Sequence, residues 1–362
     1  MIWWLLQWTG RTDPRRSTLP VFPERVGRMP QTIIIRGDGV AARCCLRLLA
    51  PPEFRLRAEM GVRPRLPAIM IGESTQKLVQ DIFQSDELFT GLPRIRRRAV
   101  AWGKTGTMVL PHSAVIVPEQ VLLDRLPCAA SDGGNGDDAT AAWCVLAARP
   151  LPEGLVEHQF GARTASAWKV RLAGSAEPET CWIESLDRGW LFLLPCGDAT
   201  GWLLAVGEVV RSLLSQSRLV AAIIDDLQAE AGSFPCHPRI AEPVAEPGWM
   251  ACGTGAIGFD PLCGDGCGYA AREAILVSAV VRAVAAGISA EAAVAHYRAR
   301  LIAGFQRHLE VCRSFYTTGG TSDWWKVEAD ALEQGVAWCG RQLQAAGNFR
   351  FRLNGFDLEP VA

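Results

Sequence analysis

Thr32-Ile33-Ile34-Ile35-Arg36-Gly37-Asp38-Gly39-Val40-Ala41-Ala42 is the stretch that decides the fold of this chain. Its β-branched start suits a strand buried on both faces of a parallel sheet. The run ends in glycines, and a helix pattern follows to about Leu49, where Pro51-Pro52 stops it. Strand, G-x-G-x-x-A, helix is the dinucleotide-binding arrangement with alanine in the third place. Gly37 supplies the tight turn, Gly39 admits a pyrophosphate, and Ala42 keeps helix and strand close. Val40 and Ala41 open the helix, whose unpaired N–H groups and dipole favour an anion. A second strand is expected over Phe54 to Glu59, which makes Glu59 the candidate for a ribose hydroxyl. A plain surface carboxylate is the alternative reading of Glu59.

A partner for this motif stands far along the chain, at Trp249-Met250-Ala251-Cys252-Gly253-Thr254-Gly255-Ala256-Ile257-Gly258-Phe259-Asp260-Pro261-Leu262-Cys263-Gly264-Asp265-Gly266. An apolar strand leads into a glycine-rich turn, and a helix over Tyr269 to Ala286 follows. Pro261 fixes one φ, and the glycines let main chain approach a flat ligand closely.

Composition bounds the rest. The 362 residues suffice for a large core in two lobes. A hydrophobic content of 49% excludes disorder, and a net charge of −1 gives no global field for nucleic acid. The 12 cysteines form no CxxC pair, which reads as reduced thiols in a cytoplasm. The five histidines do not cluster with cysteines at ligand spacing, so no metal is expected. No run of 18 apolar residues occurs, so the chain is not expected to be integral to a membrane. Residues 1–30, with Met1-Ile2-Trp3-Trp4-Leu5-Leu6-Gln7-Trp8 and an Arg/Pro-rich sequel, read as a disordered or non-native extension. A short interfacial anchor is the alternative.

Between the motifs the pattern changes twice. Ala68 to Ile71 reads as a strand ending in Gly72-Glu73-Ser74-Thr75, with Ser74 or Thr75 as N-cap of a helix to Phe83. The arginines of Arg94 to Arg98 read as a solvated edge, or else as a docking patch. A helix over 118–126 and a strand over Trp143 to Ala147 flank a glycine-rich loop at 131–136. Strands at 168–172, 180–185, 189–195 and 201–207 form an antiparallel meander rich in tryptophan, a wall fit for an aromatic group. A helix from Val209 to Ala231 is expected to close it. Ser289 is expected to cap a mostly helical stretch to Gln334, and 349–359 reads as a terminal strand or tail.

Taken together, Gly37-x-Gly39-x-x-Ala42, Gly72-Glu73-Ser74, Asp138-Ala139-Thr140 and Asp260-Pro261-Leu262-x-Gly264-x-Gly266 resemble the FAD-dependent monooxygenases of the para-hydroxybenzoate hydroxylase fold. The branch shared with the tryptophan halogenases is the nearer one. Gly72 to Gln76, Gly189 to Pro195 and Phe259 to Gly266 with Arg272 to Leu276 resemble the flavoprotein maturases that build tryptophylquinone cofactors in a partner enzyme.

The resemblance implies an α/β (α+β) architecture. A discontinuous FAD-binding Rossmann-like domain (31–150 and 246–290) would carry an inserted antiparallel-sheet substrate domain with a helix (151–245) and a C-terminal helical region (291–362). It implies FAD held by Gly37, Gly39, Val40, Ala41, Ala42, Glu59, Asp138, Gly253, Thr254, Asp260, Pro261, Gly264, Asp265 and Gly266. Backbone N–H groups from Leu262 to Gly266 would stabilise charge on the reduced ring. Trp190 and Phe192 would form the substrate wall, and Glu73 is the candidate ionisable group. Molecular oxygen would be the co-substrate, with NAD(P)H or a partner reductase as electron source. The implied activity is hydroxylation of an aromatic ring, plausibly a tryptophan of a partner oxidase or dehydrogenase. A halogenase, a hydroxylase of a small aromatic, and a non-catalytic flavin-binding protein are the alternatives.

Departures from the family pattern bear on these choices. The family's Gly-Asp pair is Gly253-Thr254 here, a hydroxyl in place of a charge. Asp138-Ala139-Thr140 is followed by Ala141-Ala142 where the family has Gly-Arg. The halogenase W-x-W-x-I-P reads Trp190-Leu191-Phe192-Leu193-Leu194-Pro195, and the halogenase lysine has no counterpart, Arg94 standing nearby. The last two argue against halogenation.

Overall fold

The computed structural model describes residues 31–50, 52–59, 61, 63–127, 141–263, 265–346 and 350–361. The expected extension at 1–30, the loop at 131–136, Asp138 and Gly264 lie outside the described residues.

The chain begins β1 (Gln31–Arg36), α1 (Val40–Leu48), β2 (Phe54–Glu59), β3 (Ile69–Gly72), α2 (Glu73–Phe83), β4 (Arg94–Ala101), β5 (Met108–Val117) and α3 (Glu119–Arg125). It continues through β6 (Trp143–Leu146), β7 (Val156–Gln159), β8 (Thr164–Leu172), β9 (Thr180–Leu186), β10 (Gly189–Gly197), β11 (Thr200–Gly207), α4 (Val210–Gln216), β12 (Ile224–Pro235) and β13 (Arg239–Glu242). Last come β14 (Ala245–Glu246), β15 (Trp249–Ala251), β16 (Ile257–Gly258), α5 (Gly266–Ala285), α6 (Ala290–Gly319), α7 (Asp323–Ala346), β17 (Phe351–Asn354) and β18 (Asp357–Pro360).

Two sheets organise these elements. The first has the order β14-β15-β6-β1-β2, parallel from β15 to β2. Ile33, Ile34 and Ile35 are buried together because both faces of a parallel sheet are covered. The second has eight strands in the order β12-β8-β11-β10-β9-β4-β5-β3 and is antiparallel except where β4 meets β9. The architecture is α/β (α+β), as expected. The segment before residue 150 serves both sheets: β1, β2 and β6 enter the first, and β3, β4 and β5 the second. A small sheet has the order β16-β13-β7.

Alternation on β10 sorts the second sheet's faces. Leu191 and Leu193 pack with Val210 and Leu213 of α4 and with Val220. Trp190 points the other way, into the main core shared with α1, α5, α6 and α7. The aromatic face of the meander therefore looks toward the nucleotide-type sheet, and α4 covers its back.

Three expectations fail for identifiable reasons. The helix expected from Val209 to Ala231 ends at Gln216, and β12 follows instead. Buried Glu184 accepts N–H bonds from Arg218, Leu219 and Val220 at 2.9–3.2 Å, and the Ser217 hydroxyl also donates to it. Those amides cannot also continue a helix, and the free edge of β8 captures the chain as β12. Residues 224–231 favour a helix by propensity, and a long-range ladder overrides it. The arginines of β4 are not on a sheet edge: β4 lies between β9 and β5, and only its outward face is solvated. Arg96 and Arg97 pair there with Glu179 and Glu177. Finally, Gly72 occupies the N-cap of α2, so Ser74 and Thr75 fall in its first turn. Ser289, by contrast, caps α6 by accepting from the Ala292 N–H at 3.3 Å.

Glu184→Ala leaves three backbone N–H groups without their acceptor. The expected cost is about 2–4 kcal/mol in urea unfolding. A loss under about 0.5 kcal/mol would show that the turn is held by its apolar contacts alone.

Candidate functional site

A crevice opens at the carboxyl ends of β1, β6 and β15. Strand order reverses between β1, which leads to β2 on one side, and β6 on the other, the usual ligand position in open α/β sheets. Gly37 has φ +129° and packs so tightly on Ala148 that a Cβ would sit 3.0 Å from that side chain. Gly253, at φ +54°, would press a Cβ to 2.8 Å from Ala41 of α1. Gly255 backs onto the Leu146 carbonyl. Both glycine motifs, more than 200 residues apart, thus close on one strand end, that of β6. Val40, Ala41 and Ala42 are buried at the start of α1, as the fingerprint requires.

Charge at the crevice mouth is largely neutralised. Asp38 is buried and pairs with Arg63 at 3.2 Å and Arg65 at 2.7 Å. Arg63 also holds buried Glu119, whose hydrogen bond raises the arginine pKa. Glu59 ends β2 beside Gly37, whose N–H donates to the Glu59 carbonyl at 2.9 Å. The Glu59 carboxylate pairs with Arg36 and Arg57. Thr254, next to Gly253 in this turn, is exposed. A hollow of about 500 Å³, lined by Arg149, Leu151, Val156 and Glu157, begins one residue past Ala148.

The second part of the late motif is held differently. Asp260 is 1% exposed and its carboxylate accepts three hydrogen bonds. Arg163 Nε donates to its Oδ2 at 2.7 Å, the Tyr316 hydroxyl donates to the same oxygen at 2.9 Å, and the Leu262 N–H donates to Oδ1 at 2.8 Å. The Asp260 N–H in turn donates to His308 Nε2 at 3.0 Å, which leaves Nδ1 as the protonated ring nitrogen. Arg163 also binds Glu328 of α7, and its guanidinium lies 4.4 Å above the Tyr316 ring. Burial works against the Arg163 charge, but Tyr316, Asp260 and Glu328 outweigh it and raise its pKa. Burial, then Asp260, push the Tyr316 phenol well above its ordinary range, so it stays a donor.

Of the expected wall, Trp190 is 1% exposed and donates its indole N–H to the Tyr316 hydroxyl at 3.1 Å. It props the Asp260 network. Phe192, one alternation further on β10, keeps open surface. Leu262 is expected among the amides aimed at a ring, yet its N–H is already taken by Asp260. Asp265 precedes the first turn of α5, accepts from the Thr75 hydroxyl at 2.6 Å and pairs with Arg272. This contact brings the first turn of α2, with exposed Glu73, to the start of α5 and Gly266. Pro261 is half-buried in the short 3-10 turn between them.

Arg163, Tyr316, Glu328 and Glu273 carry no assigned role in the sequence motifs above. Glu273 lies on α5, is buried, and accepts from the Gly253 N–H at 2.5 Å. A glutamate inside the Ala/Val/Leu pattern of that helix was the available signal. Among the described residues no group of three or more His, Cys, Asp or Glu side chains could hold a metal ion, and no helix is long and apolar enough to cross a membrane.

No protein-family model matches the chain, and no curated protein sequence does. Solved structures do. The peptidyl tryptophan dihydroxylase QhpG, essential for tryptophylquinone cofactor biogenesis, is similar with a TM-score of 0.62 at 16% identity, over 83% of this chain and 79% of that one. The flavin-dependent halogenase CmlS is similar with a TM-score of 0.70 at 15% identity, over 88% of this chain and 72% of that one. HpxO of Klebsiella pneumoniae, solved with FAD, is similar with a TM-score of 0.55 at 14% identity, over 87% and 94%. The chain has the fold that these flavin-dependent halogenases and hydroxylases share.

Arg163→Leu strips the charge from between two buried carboxylates. Its expected cost is about 3–5 kcal/mol in chemical denaturation, more than for a surface arginine such as Arg96. Equal costs for the two variants would remove the Arg163 cluster as a structural anchor.

Proposed function

We propose that this chain is an FAD-dependent monooxygenase that hydroxylates an aromatic ring, its substrate a tryptophan side chain of a partner oxidase or dehydrogenase. The observation that carries this reading is the closure of Gly37–Gly39 and Gly253–Gly255 on the end of β6. Two backbone turns meeting at one strand end, beside the start of α1, leave room for a dinucleotide and for little side chain. Ala41 and Ala148, which face these glycines, are small for the same reason. The residues present therefore fit the group.

In this reading, main chain at Gly37 to Ala42 and the dipole of α1 hold the pyrophosphate. Glu59 accepts from the ribose, its two arginines fixing its rotamer. Thr254 offers its hydroxyl to the ribityl chain. Asp260 fixes Pro261 at the ring, and the start of α5 at Gly266 presents its positive end. When bound, FAD would supply the redox chemistry that activates molecular oxygen, drawing electrons from NAD(P)H or a partner reductase. The chain would exclude water with the sheet face around Phe192 and orient the target ring there. Trp190, on the same face but buried, acts through Tyr316. Glu73, exposed near the start of α5, is the candidate acid or base.

A tryptophan inside a partner is favoured over a free small aromatic by the likeness to a peptidyl tryptophan dihydroxylase. The same likeness in fold extends to halogenases, so the product must decide.

Purified protein is expected to bind FAD. Thr254→Val, which removes one exposed hydroxyl, should raise the Kd about fivefold to tenfold, the worth of one hydrogen bond. Phe192→Ala should leave FAD bound and abolish modification. Mass spectrometry of a quinone-cofactor enzyme co-expressed with this chain is expected to show oxygen added to a tryptophan. Halogen on the product would select the halogenase reading, and failure to bind FAD would end the flavoprotein reading.

A further inference from the structure

We propose that Glu273 is a positioning residue of the cofactor cradle: its buried carboxyl fixes the Gly253–Gly255 turn against α1 and makes cofactor affinity depend on proton concentration. The inference rests on the flavoprotein reading above.

Geometry carries it. Glu273 sits on the inner face of α5 and accepts from the Gly253 N–H at 2.5 Å. Gly253 precedes exposed Thr254 and has a positive φ, and a Cβ there would lie 2.8 Å from Ala41 of α1. The other carboxyl oxygen, Oε1, has no hydrogen-bond partner. Such an orphan is costly when ionised and tolerable when the acid is neutral. The walls explain the absence of compensation. Toward Glu273 lie Cys252 at the end of β15, with Cys45 of α1 against it, and Tyr297 of α6. The Tyr297 hydroxyl is committed to the Ala251 carbonyl. Arg272, the neighbour on α5, acts only at long range and is paired with Asp265. Cys252 and Tyr297 are themselves held protonated, Cys252 first by its bond with Cys45 and Tyr297 first by burial. Burial accordingly lifts Glu273 from an ordinary 4.5 to about 8, against the opposing Gly253 hydrogen bond and Arg272.

The sign follows from linkage. The folded chain binds a proton at Glu273 that the unfolded chain releases above about pH 4.5. Stability from this group is therefore full below that pH and declines as pH rises toward 8. FAD adds a second consideration. Its pyrophosphate is anionic, and an ionised Glu273 behind Gly253 would repel it. Binding is thus strongest to the form with a neutral Glu273, and proton loss at Glu273 weakens it.

The test compares wild type, Glu273→Gln and Glu273→Met in the full chain, with FAD titrations read by flavin fluorescence between pH 6.5 and 9 and thermal melts of the FAD-free protein over pH 5 to 8. Gln keeps an acceptor for Gly253 but cannot titrate, and Met keeps bulk without the acceptor. For wild type the Kd should rise about tenfold from pH 7 to 9, as expected for one proton released near pH 8. Gln should bind FAD with a Kd flat in pH, and Met should bind more weakly at every pH, also flat. The melting temperature should fall with pH in wild type and hold level in Gln. FAD binding by wild type with no pH dependence, or with the same dependence in Gln, would overturn the inference and leave the flavoprotein reading standing. No FAD binding by wild type at any pH would overturn both.

Discussion

The Arg163–Asp260 ion pair is the interaction on which the rest of the site depends. Arg163 comes from the chain just before β8, Asp260 from the stretch before α5, Tyr316 from α6 and Glu328 from α7. One buried contact therefore ties the antiparallel sheet, the late glycine-rich stretch and the C-terminal helices together. Two carboxylates around one guanidinium leave an excess negative charge, which burial makes expensive. Neutral donors spread it: the Tyr316 hydroxyl and Leu262 N–H on Asp260, and the Ala162 N–H on Glu328 at 3.2 Å. Trp190 completes the chain by donating to Tyr316. A network in which nearly every acceptor is met tolerates one geometry and fixes Pro261 as firmly as a covalent strap would.

The glycine crevice is built on a different principle, close approach of backbone. Gly37 and Gly253 sit at positive φ with side chains of alanine facing them, and Gly255 meets a carbonyl. Nothing charged is needed at these contacts. The charges nearby, Asp38 with Arg63 and Arg65, Glu119 with Arg63, are paired, and the Arg63 guanidinium lies against Gly39. Main-chain N–H groups, the α1 dipole and the paired Arg63 guanidinium supply the positive character of the crevice.

The nucleotide-type half was legible because its signals are local. A triple-isoleucine strand, two glycines at set spacing and a following helix need only their own neighbours to be read. The meander at 180–207 was legible for the same reason, through period-two alternation and its Gly and Asp turns. What escaped reading depends on distant partners. β12 forms because Glu184 takes three amides and β8 offers an edge, and neither fact is visible in residues 218–231. The arginines of β4 read as an edge because a half-solvated interior strand has the same pattern. Trp190 read as a wall because its sequence neighbours are apolar, while its indole N–H finds a tyrosine 126 residues later. Arg163, Glu328 and Glu273 are ordinary charges in sequence and become special only through burial.

The late stretch consequently meets two buried carboxyls in opposite states of compensation, its own Asp260 and Glu273 of α5. Asp260, near its end, has a guanidinium within 2.7 Å, because β8 begins where an arginine can reach it. Glu273, behind its first glycine, faces α1, where Cys44, Cys45 and Ala41 leave no cation in hydrogen-bond reach among the described residues. Without such a partner, burial raises the Glu273 carboxyl pKa to about 8. A carboxylate paired with a guanidinium thus lies under Pro261, and a buried carboxyl without one lies under Gly253. Exchanging the two environments would put a guanidinium-paired carboxylate behind the turn that, in the proposed reading, faces a dinucleotide. The amino acids lining α1, small and apolar for packing reasons, therefore also set the electrostatics of the crevice.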